Sequence, residues 1–362
     1  MILIQGYLDG NFEILEFDNE DTRSIYSSKS VLKPLYELDP VNNPKSLHSS
    51  SVRKVQFSPD GNMLLTAGSD SLWNLFDCSK TSVVMSKPSA HDHPIYSTLF
   101  LDPFNFCSGD DDGHIKLWDL RASPNEMQRS EIYEQQEGTI SSLNYLKSEN
   151  QILATSTNGS LGVYDLRMTN QNQSLKLHAM SDFMESELND LVVMKDGKLI
   201  CCGASGGEVQ IYHKGWYGDC KDRLTGHPYS VDSMVKLEED LLLTGSEDGW
   251  VRVCGIHPNK VAVFEAHEEE ADDSQDFPIL KISLSHCKRF LASISTDRCI
   301  RFYELGDIRA VLQNRGENMK KLIAPGTTII QEEDEDDDEE QNNKNKKQNT
   351  DLIKKKNFFN DF

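Results

Sequence analysis

Short apolar runs alternate with polar turns along most of this chain, and the alternation itself recurs. Residues 226–254, GHPYSVDSMVKLEEDLLLTGSEDGWVRVC, read as a His, an alternating strand, a turn, an apolar strand, an Asp-Gly turn and another strand. Residues 90–119, AHDHPIYSTLFLDPFNFCSGDDDGHIKLWD, read the same way. Aligning all copies on the turn puts Asp9, Asp70, Asp112, Asn158, Gly206, Asp248 and Asp297 in register, at spacings of 61, 42, 46, 48, 42 and 49 residues. The wider intervals contain polar stretches such as 36–50 and 267–276. A period of roughly 40–45 residues, with four strands and an Asp-Gly turn, is that of a propeller blade. In that turn the glycine takes positive φ and closes a tight hairpin. Seven copies predict an all-β, seven-bladed β-propeller over residues 1–313.

The two ends of the repeat are irregular. Residues 2–17, ILIQGYLDGNFEILEF, begin where the second strand of blade one belongs, so the count reaches about 27 strands where seven blades need 28. An unpaired inner strand exposes backbone donors and acceptors. Residues 321–330, KLIAPGTTII, are one source for the strand; a gene model truncated upstream is the favoured explanation. DIRAVLQ at 307–313 supplies the outer strand of the last blade, and 314–330 form a linker or ring-closing strand. Residues 331–362 hold nine consecutive acidic residues, 332–340, followed by KNKK at 344–347 and KKK at 354–356. Such a block buries no apolar surface and is expected to be a disordered acidic and Lys-rich tail, acting on solubility or on partner choice and location.

The units resemble WD repeats. In that family the turn Asp bonds a His before the first strand, the His bonds a Ser or Thr, and that hydroxyl reaches the Trp ending the third strand. By this resemblance blade three carries His91, Ser108, Asp112 and Trp118. Blade six carries His227, Thr244 and Asp248, with Cys254 at the Trp position. Gly206 stands for the Asp in blade five, and Arg298 for the Gly in blade seven. A Ser/His/Asp grouping also invites a hydrolase reading. Here it recurs at blade period, and no G-x-S-x-G elbow, P-loop, GxGxxG or HExxH accompanies it. The expectation is a non-enzymatic scaffold with no cofactor and no metal.

Charge narrows the partners. The formal net charge is −22, of which residues 1–330 carry −17. A body so acidic repels a bare phosphate backbone and suits basic protein partners; direct RNA contact stays open. The eight cysteines form no C-x-x-C pair and several lie in apolar runs, as expected for reduced core thiols inside a cell. No signal peptide or membrane-spanning run is evident, which places the chain in cytosol or nucleus without a membrane partner.

Residues 215–267 carry details beyond blade grammar. DRLTGHPYSVDSM, TGSEDGWVRV and IHPNKV resemble the WD repeat-containing protein 55 family, and FPILKISLSHCKRFLASISTDRCIRFYEL resembles its last blade. Gln5–Phe12 resemble its first blade, and the likeness runs over about residues 1–310. The resemblance implies a nuclear, nucleolus-enriched protein supporting ribosomal RNA production, with ribosome-assembly factors or basic ribosomal proteins as partners. LWDLR and VYDLR place Asp119, Arg121, Asp165 and Arg167 in adjacent blades. They resemble the W-D-x-R signature of cullin-4 ubiquitin-ligase receptors, whose Arg meets the ligase adaptor; simple turn chemistry explains the same residues.

Propellers bind partners at the mouth of the channel. The position after the leading apolar residue of each first strand holds Arg53, Tyr96, Ser141, Asn189, Asp232 and Leu280. That mixture suits a protein-binding rim and equally an ordinary polar one. Trp216 and Tyr217, before blade six, add an aromatic candidate, with packing between blades five and six as its alternative.

Overall fold

The computed structural model describes residues 48–305 except 81, 124–125, 133–135, 170–174, 258, 267–276 and 298–299, together with strands at 2–6, 12–17, 32–36 and 329–330. The chain is a β-propeller. Its first sheet comprises β1 (Ile2–Gly6), β2 (Phe12–Phe17) and β3 (Leu32–Tyr36). The next comprises β4 (Val52–Phe57), β5 (Met63–Gly68), β6 (Trp73–Asp77) and β7 (Ser82–Lys87). Then come β8 (Ile95–Phe100), β9 (Asn105–Asp110), β10 (Ile115–Asp119) and β11 (Gln128–Ile132), followed by β12 (Ile140–Leu146), β13 (Gln151–Ser156), β14 (Leu161–Thr169) and β15 (Leu175–Met180). The following sheet is β16 (Leu188–Met194), β17 (Leu199–Ala204), β18 (Val209–His213) and β19 (Asp222–Leu224). After it come β20 (Val231–Glu238), β21 (Leu241–Ser246), β22 (Trp250–Gly255) and β23 (Lys260–Ala266), then β24 (Ile279–Leu284), β25 (Phe290–Ser295) and β26 (Ile300–Glu304).

Each sheet is an antiparallel meander in chain order. From β4 to β26 six blades follow one another, and their innermost strands β4, β8, β12, β16, β20 and β24 lie side by side in sequence. β1 lies against β4 as the second strand of each later blade lies against the innermost strand of the next, so the first sheet supplies second, third and fourth strands. The expected outer strand at 307–313 and the tail at 331–362 lie outside the described residues. So does the linker or ring-closing segment 314–330, apart from Ile329–Ile330, a short strand (β27) ordered in the β20–β23 sheet. Met1–Ile329 form one compact unit and Ile330–Phe362 a second.

The apolar runs are continuous because each sheet is covered on both faces. In β17, LICCGA, every residue is buried. Leu199 and Cys201 pack toward β20 and β21 with Val231, Met234 and Leu242, while Ile200 and Cys202 pack toward Leu153, Leu161 and Val163 of the preceding blade. Side chains two apart share a face, so one strand serves two cores. The same sharing joins blades two and three, where Trp73, Phe106 and Trp118 meet with centroids 5.1–6.1 Å apart. Each fully buried aliphatic or aromatic side chain contributes about 1.5–3 kcal/mol, and here it holds two blades at once.

The hairpin between second and third strands sets the blade-to-blade spacing. Gly113 and Gly159 adopt φ of 86° and 81°. A Cβ on Gly113 would lie 1.8 Å from Gln136 O, and one on Gly159 2.3 Å from Met184 O. Glycine is required there by backbone conformation and by the close approach of the next blade's loop. In blade two Ser71 takes the position with φ of 57°.

The polar network of blade three departs from the repeat register in one member. His91 Nε2 bonds Ser108 Oγ at 2.6 Å, and Trp118 Nε1 donates to the same hydroxyl at 2.8 Å. The carboxylate on His91 Nδ1 is that of Asp110, at 2.9 Å, not Asp112. Asp110 also accepts from the backbone amides of Asp112 and His114 at 3.0 and 2.9 Å. Asp112 points outward with its side chain 61% exposed, its carboxylate 3.6 Å from His93. The triplet Asp110-Asp111-Asp112 offers three carboxylates to one turn, and only the first is enclosed beside His91. Blade two forms an equivalent set: His48 bonds Asp70 at 3.0 Å and Thr66 at 2.9 Å.

Blade six departs further. His227 Nε2 bonds Thr244 Oγ1 at 2.9 Å, but Asp248 does not reach the ring. Arg252, four residues on and across the hairpin, takes both oxygens of Asp248, with one contact at 2.9 Å and the other at 2.5 Å. A bidentate guanidinium outcompetes a neutral imidazole for a carboxylate. His227 Nδ1 is left buried without a hydrogen bond. Burial, with the Arg252 charge, lowers its pKa to about 4. Cys254 occupies the Trp position, its Sγ 3.7 Å from Thr244.

Candidate functional site

In an antiparallel meander, odd strands all start at one end of the blade. The starts of innermost strands therefore share an end with the loops entering them and with the turns between second and third strands. At this end, every described innermost strand carries a β-bulge. Strand pairing skips Arg53, Tyr96, Ser141, Asn189, Asp232 and Leu280 in turn. These are the rim positions chosen from the sequence, and the bulge is the physical reason they form a set: the extra residue leaves the ladder and its side chain is re-aimed.

Half of the six reach the following blade. Arg53 pairs with Asp111 at 2.6 Å and lies over the Tyr96 ring at 5.7 Å. Ser141 Oγ bonds Leu188 O, and Asn189 Nδ2 donates to Ser230 Oγ at 2.8 Å and Asp232 Oδ1 at 2.9 Å. Burial raises the pKa of Asp232, against the hydrogen bonds from Ser230 and Asn189. Tyr96 and Leu280 remain exposed. Phe183 and Tyr229, in loops entering blades five and six, open on the same end and are also exposed. The rim thus joins four exposed apolar side chains to a fixed arginine, a composition suited to a protein partner.

The other end holds the remaining candidates. Trp216, in the loop between β18 and β19, is 70% exposed, with Lys221 Nζ 5.4 Å from its ring. Tyr217 is buried in the core shared by blades four and five, edge-on to His178, and offers nothing to a partner. The pair divides because consecutive residues face opposite ways.

Asp119 grips Arg121 through two bonds of 2.9 Å, and Asp165 grips Arg167 at 3.0 and 2.9 Å. Both arginines keep 57% of the side chain exposed. The hydrogen bonds from Arg121 hold the Asp119 carboxyl down to about 2. Between these two turns lies a cleft of about 530 Å³, lined by Leu101, Asp102, Leu117, Arg129, Tyr145 and Leu166 among others. This cleft was not legible in the sequence, because its walls come from two blades.

No His, Cys, Asp and Glu cluster able to hold a metal is found among the described residues, and no described helix is long and apolar enough to cross a membrane. Cys107, Cys201, Cys202 and Cys254 are buried free thiols, their pKa values pushed upward by burial.

The blade network and rim fit a general propeller; the finer likeness lies in the sequence around them. The sequence model of the WDR55 family matches residues 6–308. The chain belongs to the WDR55 family. WD repeat-containing protein 55 of Arabidopsis thaliana is 29% identical over 308 residues, covering 85% of this chain and 78% of the relative. The Homo sapiens protein of the same name is 30% identical over 313 residues, covering 86% and 73%. WD repeat-containing protein JIP5 of Cryptococcus neoformans is 35% identical over 230 residues, covering 63% and 57%. Membership of the WDR55 family agrees with the resemblance seen over about residues 1–310.

Proposed function

We propose that this WDR55-family chain is a non-catalytic, seven-bladed scaffold that serves ribosome production in the nucleolus. The first sheet counts as blade one. The observation that carries the scaffold reading is the rim, where six bulged residues and two entering loops present a polar and aromatic surface. The pathway rests on the family: its resemblance implies ribosomal RNA production, and the acidic body suits basic ribosomal proteins or assembly factors better than bare RNA. Depletion followed by pulse labelling tests it. Reduced mature ribosomal RNA with accumulated precursors or reduced transcription is expected; normal output after full depletion overturns the reading.

A second reading is favoured by the geometry of Asp119–Arg121 and Asp165–Arg167. Two exposed, carboxylate-locked guanidiniums on one end of adjacent blades are pre-organised for a partner. A cullin-4 adaptor is such a partner. Pull-down of the adaptor that is lost on Arg121→Ala with Arg167→Ala supports this reading; undiminished capture removes it.

A further inference from the structure

Immediately below the bulges lies a second tier of inner-strand positions: Lys54, Ser97, Ser142, Asp190, Ser233 and Lys281. Four of them bind the next blade. Ser97 Oγ donates to Ile140 O at 2.7 Å, and Ser142 Oγ to Asp190 Oδ1 at 2.8 Å. Asp190 Oδ2 accepts Met234 N at 2.9 Å, and Ser233 Oγ accepts Ile282 N at 3.1 Å. Lys281 is different. It passes over blade six to reach Asp190 Oδ2 at 2.7 Å, so the tier converges on the axis of the propeller.

Asp190 has no capacity left. Its Oδ1 accepts Ser142 Oγ and, at 3.0 Å, Leu191 N; its Oδ2 accepts Met234 N and Lys281 Nζ. A carboxylate offers about four lone-pair sites, and all four are engaged. Lys54 is half-buried, and it has no hydrogen bond or ion pair among the described residues. Its ammonium sits within electrostatic range of Lys281 and Asp190. Burial, with repulsion from Lys281, lowers its pKa to about 8 against the attraction of Asp190. Its three N–H donors have no protein acceptor among the described residues, and the Lys281 charge acts on the same ammonium.

We propose that Lys54 and Lys281 form an anion site in the central channel, one tier below the rim, that takes a single phosphate group. The pairing with Asp190 holds Lys281 in place and leaves Lys54 to supply the free donors. Asp190 and, one tier up, Asp232 border the site, so a compact oxyanion is admitted and an extended polyanion such as an RNA backbone is repelled. The channel mouth lies among the rim residues, so an occupied site would be sensed by a partner docked there.

Thermal unfolding of the full chain in inorganic phosphate, against sodium chloride of equal ionic strength, tests the site. A saturable rise in melting temperature is expected, with apparent affinity at least about tenfold weaker in Lys54→Met. Without phosphate, Lys54→Met should melt at or above the native temperature, because the lost ammonium is repelled by Lys281 and makes no hydrogen bond among the described residues. Titration of the native protein followed at the Lys54 ε-carbon by NMR needs no variant, and phosphate should raise the Lys54 midpoint. No phosphate effect beyond chloride, an equal effect in Lys54→Met, or a Lys54 midpoint indifferent to phosphate each overturns the proposal. A saturable response to acetate and none to phosphate overturns the phosphate class.

Discussion

Asp110→Ala is the substitution that most directly tests how a blade is held. Its side chain is 1% exposed and accepts from the His91 ring and from two turn amides. Removing it strands His91 Nδ1 in an enclosed site, which costs about 1.5–3 kcal/mol for a bond to a charged acceptor. The amides of Asp112 and His114 lie nearer the surface, where water replaces part of the loss, adding about 0.5 kcal/mol each. The expected total is about 3 kcal/mol, a large share of the stability of an ordinary domain. Asp112→Ala, two residues away on an exposed side chain, should stay within about 0.5 kcal/mol. Denaturant unfolding followed by tryptophan fluorescence suits the comparison, since Trp118 bonds the same hydroxyl as His91. A cycle with His91→Ala should show strong non-additivity with Asp110→Ala and none with Asp112→Ala. Equal costs for the two aspartates would refute the assignment.

Gly113→Ala should destabilise by more than about 3 kcal/mol, since the new Cβ meets Gln136 O and the backbone is left-handed; a midpoint shift under 1 kcal/mol would contradict that packing. His227 supplies a pH dependence. Its folded pKa is depressed to about 4, below the unfolded value of about 6.5. The buried neutral ring therefore resists protonation, and stability present above pH ~6.5 is lost as pH falls toward 4. His227→Gln should flatten that slope between pH 7.5 and 4.5, as read from unfolding midpoints; an unchanged slope shows that other groups carry it. Arg121→Ala and Arg167→Ala should each leave the melting temperature nearly unchanged, both side chains being more than half exposed; a clear loss in melting would mean that these turns hold the blades.

The repeat grammar carried most of the fold. Its period depends on strands and Asp-Gly turns, both of which are local, and the sheets follow it from β4 to β26. Local grammar failed where neighbours compete. Asp110 and Asp112 are equivalent as residues, and only the enclosure beside His91 separates them. Asp248 matched its register, yet Arg252 lies across the same hairpin and binds it more strongly than His227 can. The arginine was visible in WVRVC, and its i+4 spacing from the aspartate was the available signal. The rim was found through position alone, while the skipped pairing that defines it appears only in three dimensions. Lys54 and Lys281 were hidden by the 226 residues between them. Tyr217 could not be told from Trp216 without knowing which face the preceding bridge from His213 to Trp216 presents.

The bulges also bear on how such a ring changes over evolutionary time. A residue within the ladder cannot be exchanged freely, because it packs on one blade and its neighbour in the strand packs on another. The bulged residue is exempt: no cross-strand partner is matched to it, and its side chain enters neither of the shared cores. Substitution at Tyr96 or Leu280, which also lack a bond to the next blade, therefore alters what the mouth displays while the barrel of strands beneath stays as it was. Recognition and foldability are stored in different residues of the same strand, so a lineage can rewrite one without renegotiating the other.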